Sequence, residues 1–416
     1  MKDSIIPSGV LSHIGPIDIC RRLMKNFKKS PAAQNGDLRV HDYGYDWRLS
    51  PHLLSRDLIQ FLEGLKCNSG GPDQPHSGAV VIAHSLGGMI ARHAVNQRPE
   101  LFAGVIYAGT PSKAVNILGP LRNGDDVLLS SRVLTAQVNF TIRSSYALLP
   151  EDGKCFINKV TGERYDIDFF DANNWAEYCL SPCVAAQSPS ESRKSMVDAL
   201  SESLPSMPFS SKRNSLRLSQ RAARDTAGTL KGDVSQAMKK PEHVLPEPRT
   251  GALVPDMEAS SSQFSRGSIA TSSTIPRAEA LAYLERTLKS VRRFKEETAF
   301  RPRHHAENKY PPISILYGDT VPTVFGARVE SREAIKRSDC FDSLAFAVGD
   351  GIVLAKAARP PDGYKIVKDG LVRSDRGHIG LLGDLEGVGK CLQAIIIARK
   401  KGVGLGSRLD KTLGSQ

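Results

Sequence analysis

The apolar positions divide the chain into stretches with a clear period and stretches with none. Ala79-Val-Val-Ile82 is an unbroken apolar run, the pattern of a strand buried on both faces. Gly87 and Gly88 then permit a tight turn, after which Met89, Ile90, Ala91 and Ala94 recur at helical spacing. Upstream, Leu53, Leu54, Leu58, Phe61, Leu62 and Leu65 fall on one face of a helix predicted over 51–65. Leu38-Arg-Val-His-Asp-Tyr43 reads as a short strand, and Phe102–Gly109 as the strand that follows the glycine turn. In the second half, Ala280, Leu281, Leu284 and Val291 mark a helix over 276–297. Strands are expected at Ile313–Gly318, at Leu344–Gly351 and over Lys365–Leu371, with a closing helix at Cys391–Ile397. Strands alternating with helices over short connections predict a mostly parallel sheet with helices on both faces. No internal repeat is visible.

From 186 to 275 the period is lost. Ser, Arg, Lys and Pro dominate and aromatic residues almost vanish, which reads as a disordered insertion. Within it, Lys212-Arg-Asn-Ser-Leu-Arg-Leu-Ser219 fits a phosphorylation segment and a solvated linker equally well. The expected organisation is a core half at 1–111, a cap at 112–185, the insertion at 186–275, a second core half at 276–405 and a basic tail at 406–416.

Composition narrows the class. The 416 residues carry a net charge of +12, and 40% are hydrophobic, which is low for a chain packed throughout. The positive surplus gathers in the polar middle and in the tail (Arg399, Lys400, Lys401, Arg408, Lys411), without interleaved aromatics. Solvated tails are therefore expected rather than a nucleic-acid surface. The seven cysteines are scattered. Cys179 and Cys183 lack the spacing and the histidines of a zinc site, and a disulfide between them is permitted but not required. The first residues carry no signal-peptide core, and no apolar run is long enough to cross a bilayer. An intracellular protein, soluble or peripheral to a membrane, is the expectation.

The candidate chemistry lies at the glycine turn. Ser85 stands at the corner between strand and helix, the context of a nucleophile elbow. The pattern is A-x-S-x-G, with Ala83 where glycine is commoner, which the small side chain tolerates. The helix N-terminus offers the Leu86 N–H, with a favourable dipole, to a developing oxyanion. A serine nucleophile needs a base, and the base needs an orienting acid, in the chain order Ser, acid, His. Of ten histidines, His84 and His93 flank the serine without an easy path back to it, and His304 and His305 lie in a charged linker. His378, in Ser374-Asp-Arg-Gly-His378, follows a strand candidate and precedes the last helix, where the base belongs. Two acids compete. Asp319 and Asp350 each follow an apolar run and a glycine, and spacing divides them evenly.

Tyr45-Asp-Trp-Arg48, the elbow at 83–88, Leu316-Tyr-Gly318 and Gly349-Asp-Gly-Ile-Val353 together resemble the lecithin:cholesterol acyltransferase family. That group, which includes the phospholipid:diacylglycerol acyltransferases and related phospholipases, has an α/β-hydrolase fold. The resemblance covers most of 38–185 and 310–385 and leaves out the polar insertion. It implies Asp350 as the acid rather than Asp319, with Ile352 standing where Thr is usual. At Tyr45–Arg48 the expectation is an Asp46–Arg48 pair and a packed Trp47 at the sheet edge, not a catalytic role. The cap, with Leu148-Leu-Pro150 and Trp175, would cover the site. The family's N-terminal glycine loop, source of a second oxyanion donor, has no match within 1–40; Ile5-Ile-Pro-Ser-Gly9 is a poor candidate. That leaves a chain lacking its N-terminal part, an oxyanion site rebuilt from other residues, or a weak enzyme.

The combined expectation is a serine enzyme of lipid acyl transfer, an O-acyltransferase or a phospholipase or lipase, using Ser85, Asp350 and His378 with Leu86 N–H as oxyanion donor. Its substrate would be a glycerolipid, phospholipid or sterol. Peripheral membrane contact is expected, and neither metal nor organic cofactor nor nucleic acid. The alternative is a catalytically weak or inactive α/β-hydrolase-fold interaction protein whose basic insertion recruits partners or anionic membranes.

Overall fold

A computed structural model describes residues 5–7, 9–14, 16–69, 77–112, 117–125, 134–186 and 273–406. The expected insertion at 186–275, with the segment Lys212–Ser219, lies outside these residues except at its ends, and so does the basic tail after 406. The strands, in chain order, are β1 (His13–Ile14), β2 (Ile17–Asp18), β3 (Ala79–His84), β4 (Phe102–Ala108) and β5 (Phe156–Asn158). They continue with β6 (Arg164–Tyr165), β7 (Ile313–Gly318), β8 (Val321–Val329), β9 (Leu344–Gly349) and β10 (Leu371–Ser374). The helices are α1 (Arg21–Lys28), α2 (Pro31–Gln34), α3 (Pro51–Glu63), α4 (Leu86–Gln97), α5 (Leu118–Asn123) and α6 (Ala136–Thr141). After them come α7 (Ala172–Glu177), α8 (Arg277–Thr298), α9 (Pro302–Ala306) and α10 (Leu385–Lys400).

The central sheet has the order β10-β7-β4-β3, and every pairing in it is parallel. Strand β4 explains how it is covered. Its Val105 and Tyr107 pack with Leu54, Leu58, Ile90, Ala94 and Val95 of α3 and α4. Its Ile106 and Ala108 point the other way, into Val388, Cys391 and Ile395 of α10. Alternate residues thus serve opposite faces, and both faces are dry, which is why the strand reads as one apolar run. Gly104 lets α10 come close, since a β-carbon there would stand 2.3 Å from Ile395 Cγ2. This is an α/β fold.

A second sheet, of order β6-β5-β8-β9, is mixed: β5 pairs with β6 and β8 with β9 antiparallel, whereas β5 and β8 run parallel. Behind it lies a separate core. Phe140, Tyr146, Phe156, Phe169 and Trp175 pack there against Leu284, Leu288 and Phe294 of α8. Buried Arg122 ties this region together, its guanidinium donating to the carbonyls of Tyr178, Ile335, Lys336 and Arg337 at 2.6–2.9 Å.

Several sequence expectations shift. Residues 38–43 form no strand. Asp42 instead accepts from Val10 N–H at 2.7 Å, and the rings of His41 and Tyr43 pack on Phe61. The last strand of the central sheet begins at Leu371 rather than covering 365–371, because Asp369 at φ 59° turns the chain just before it. Helix α4 starts at Leu86, immediately after the serine. Leu344–Gly349 is a strand, but it belongs to the mixed sheet. All seven cysteines are free thiols, so Cys179 and Cys183 are not joined. No helix among the described residues is long and apolar enough to cross a membrane.

Candidate active site

Ser85 sits between β3 and α4 with φ 54° and ψ −129°, a left-handed conformation that costs energy in a residue with a β-carbon. Two close contacts enforce it. Ser85 N–H donates to Ala108 O at 2.9 Å, which fastens the turn to the end of β4. Gly88 meanwhile faces Thr110 so closely that an added β-carbon would stand 1.9 Å from Thr110 Oγ1. The glycine therefore allows the first turn of α4 to lie against the β4 terminus. As the first helical residue, Leu86 has an N–H with no acceptor four residues back.

His378 follows β10 and opens a short 3₁₀ turn, His378–Gly383. Its Nε2 lies 2.9 Å from Ser85 Oγ and its Nδ1 lies 2.8 Å from Asp350 Oδ2. A carboxylate only accepts, so the ring proton is on Nδ1, and Nε2 accepts from the serine hydroxyl. His378 N–H also donates to Asp350 O at 2.8 Å, which locks the two residues together through the backbone. Both are 3% exposed.

Asp350 is prepared by its own segment. Its Oδ1 accepts from Ile352 N–H at 3.0 Å and Val353 N–H at 2.7 Å, leaving Oδ2 for the imidazole. Gly351, at φ +97°, makes that tight turn, and its N–H donates to Thr323 Oγ1 at 2.8 Å. From the central sheet, Gly109 closes over the pair. A β-carbon there would stand 3.0 Å from both Asp350 Oδ2 and His378 Nδ1. Asp319 goes elsewhere: it ends β7 and pairs with the Arg373 guanidinium on neighbouring β10.

The Tyr45–Arg48 segment approaches the elbow through Tyr45: a β-carbon at Gly87 would stand 3.6 Å from its hydroxyl oxygen and 3.8 Å from its Cε1. Asp46 and Arg48 form the expected pair, Nε to Oδ1 at 2.8 Å and Nη2 to Oδ2 at 2.7 Å. Those bonds hold the Asp46 carboxyl below its ordinary range. Trp47 does not pack as expected. It is 42% exposed, and its contribution is a backbone carbonyl that accepts from Ser144 Oγ.

Two contributors escaped the sequence reading. Thr323 lies on a strand not foreseen, and His84 turns its ring toward His378 rather than toward the serine. The H-S dipeptide was visible, but its partner is a main-chain carbonyl, which leaves no trace in side-chain types. Chemically, a hydroxyl bonded to an imidazole that is bonded to a buried carboxylate can lose its proton to the ring as it meets an electrophile.

No family model matches the chain. It is similar to a protein of Saccharomyces cerevisiae named Uncharacterized protein YJR098C, at 33% identity over 402 residues. The match takes in 96% of this chain and 55% of the yeast protein, so the chain spans about half the length of the curated relative it matches.

Proposed function

We propose that the chain is an α/β-hydrolase-type serine enzyme, similar to the lecithin:cholesterol acyltransferase family, that transfers acyl groups from lipid esters. The carrying observation is the unbroken hydrogen-bond chain from Ser85 Oγ through His378 to Asp350, at 2.9 and 2.8 Å. In this reading Ser85 Oγ attacks the ester carbonyl while His378 Nε2 takes its proton. Asp350 holds the ring and stabilises the imidazolium that forms. The Leu86 N–H donates to the carbonyl oxygen as it gains charge. Collapse of the tetrahedral species breaks the bond to the leaving alkoxide, which takes the proton from Nε2, and leaves an acyl ester on Ser85. An acceptor hydroxyl or water then adds by the same steps in reverse. The strained backbone at Ser85 supports this reading, since such strain needs surroundings that enforce it.

The deciding experiment uses a fluorophosphonate probe on the full chain. Labelling of the natural protein but not of Ser85→Ala, together with release of fatty acid from phospholipid vesicles, is the expected result. Equal labelling of both proteins, or of neither, would refute it.

A further inference from the structure

Three helices bring three side chains to one point apart from the Ser85–His378–Asp350 chain. His52 stands in the first turn of α3, His93 midway along α4 and Glu297 at the end of α8. Their ligand-capable atoms all lie within 4.8 Å of one another. Glu297 Oε2 is 2.8 Å from His93 Nε2 and 3.0 Å from His52 Nε2. A four-coordinate zinc bonded at about 2.0–2.1 Å spaces its ligand atoms by about 3.3 Å. Opening these two spacings by a few tenths of an ångström, with the two imidazole nitrogens starting no more than 4.8 Å apart, would admit an ion.

The outer nitrogens are equally well arranged. His93 Nδ1 lies 2.8 Å from Ser55 Oγ, and His52 Nδ1 lies 3.5 Å from Ser290 Oγ. A hydroxyl both donates and accepts. With only the carboxylate between them, both rings keep their proton on Nε2 and donate it to Glu297, while the serines donate to Nδ1. With a cation there, each proton moves to Nδ1 and donates to its serine, freeing both Nε2 lone pairs. The rings stay neutral and no proton is lost. Glu297 Oε1 accepts from Arg293 Nε at 2.7 Å, which fixes the carboxylate. Metal-bound histidines and carboxylates are oriented by outer partners of this kind. The His93 side chain is 7% exposed, against 27% for His52 and 24% for Glu297, so water can reach the remaining position.

We propose that His52, His93 and Glu297 bind one zinc-class divalent cation, with water completing its coordination. Two imidazoles select this class over calcium or magnesium. The positive charges of Arg293 and Arg301 nearby weaken cation binding there. The ion would join α3 and α8 to α4, the helix that begins after Ser85, and the site stands whether or not Ser85 reacts.

The test is calorimetric titration of the chelator-stripped full chain with zinc, accompanied by thermal melts and by cobalt spectra. One equivalent should bind, the melting midpoint should rise by a few degrees, and the cobalt complex should lack a thiolate charge-transfer band. His52→Ala, at a partly exposed position, and Glu297→Gln should each weaken binding at least about tenfold. Absence of binding, a thiolate band, or variants that bind as tightly as the natural protein would overturn the proposal.

Discussion

His84 Nε2 donates to the main-chain carbonyl of His378 at 2.9 Å, and the two rings lie tilted by 40° with centroids 4.8 Å apart. The residue before the serine thus holds the residue that bonds the serine. A carbonyl accepts only, so His84 carries its proton on Nε2. Burial, and then the neighbouring His378, push its pKa down to about 4.

On the proposed reading, His84 is accordingly a positioning residue. His84→Ala should lower kcat for ester cleavage by about ten- to hundredfold through misplacement of His378, with little change in KM. His84→Gln, which keeps a donor, should recover part of the loss. Steady-state kinetics on a soluble ester would show it; equal kcat in all three proteins would refute the role.

The same histidine makes stability depend on pH. Its folded pKa is depressed, so its neutral form serves the fold fully above the unfolded value of about 6.5. Below that, the unfolded chain takes up a proton that the folded chain refuses until about pH 4. Between these values its contribution should decline by up to about 3 kcal/mol. Urea unfolding at pH 7 and pH 5 should show a smaller loss for His84→Gln than for the natural protein.

The two acids should separate cleanly by substitution. Asp350→Asn removes the acceptor that fixes the His378 tautomer and should cost about four powers of ten in kcat. Asp319→Asn disturbs only an ion pair with half-exposed Arg373 and should stay within a few-fold. Rates of active-site labelling give the comparison directly.

Arg122 should prove a structural keystone. Arg122→Met leaves four buried or half-buried carbonyls without their donor and should destabilise the fold by about 3 kcal/mol. Arg122→Lys should rescue little, since an ammonium cannot span the planar fork. Denaturant midpoints of the three proteins would test this.

Much of the central sheet could be read from the sequence because β3, β4 and β7 are mainly apolar runs and the turn after β3 carries Gly87 and Gly88. The order Ser85 then His378 was equally readable. Spacing did not single out the acid, because Asp319 and Asp350 share the same local pattern, and only the family resemblance implied Asp350. What separates them is tertiary: Asp319 meets Arg373 across one ladder, whereas Asp350 arrives from another sheet. Strand β8 stayed hidden because Pro322 and Gly326 interrupt its alternation, and a register shift falls between Val324 and Gly326. Leu38–Tyr43 misled for the opposite reason: its local pattern fits a strand, but its side chains are used against Phe61 and the N-terminal segment.

Asp350 stands at the end of β9 in the mixed sheet, whereas Ser85 and His378 follow strands of the parallel one. A chain whose mixed sheet had not yet closed would hold a serine and a histidine with no carboxylate behind them. On the proposed reading, reactivity at Ser85 would then require that both sheets had met. Copies with an unclosed mixed sheet would, on that reading, be quiet toward esters, and labelling at Ser85 would count completed molecules.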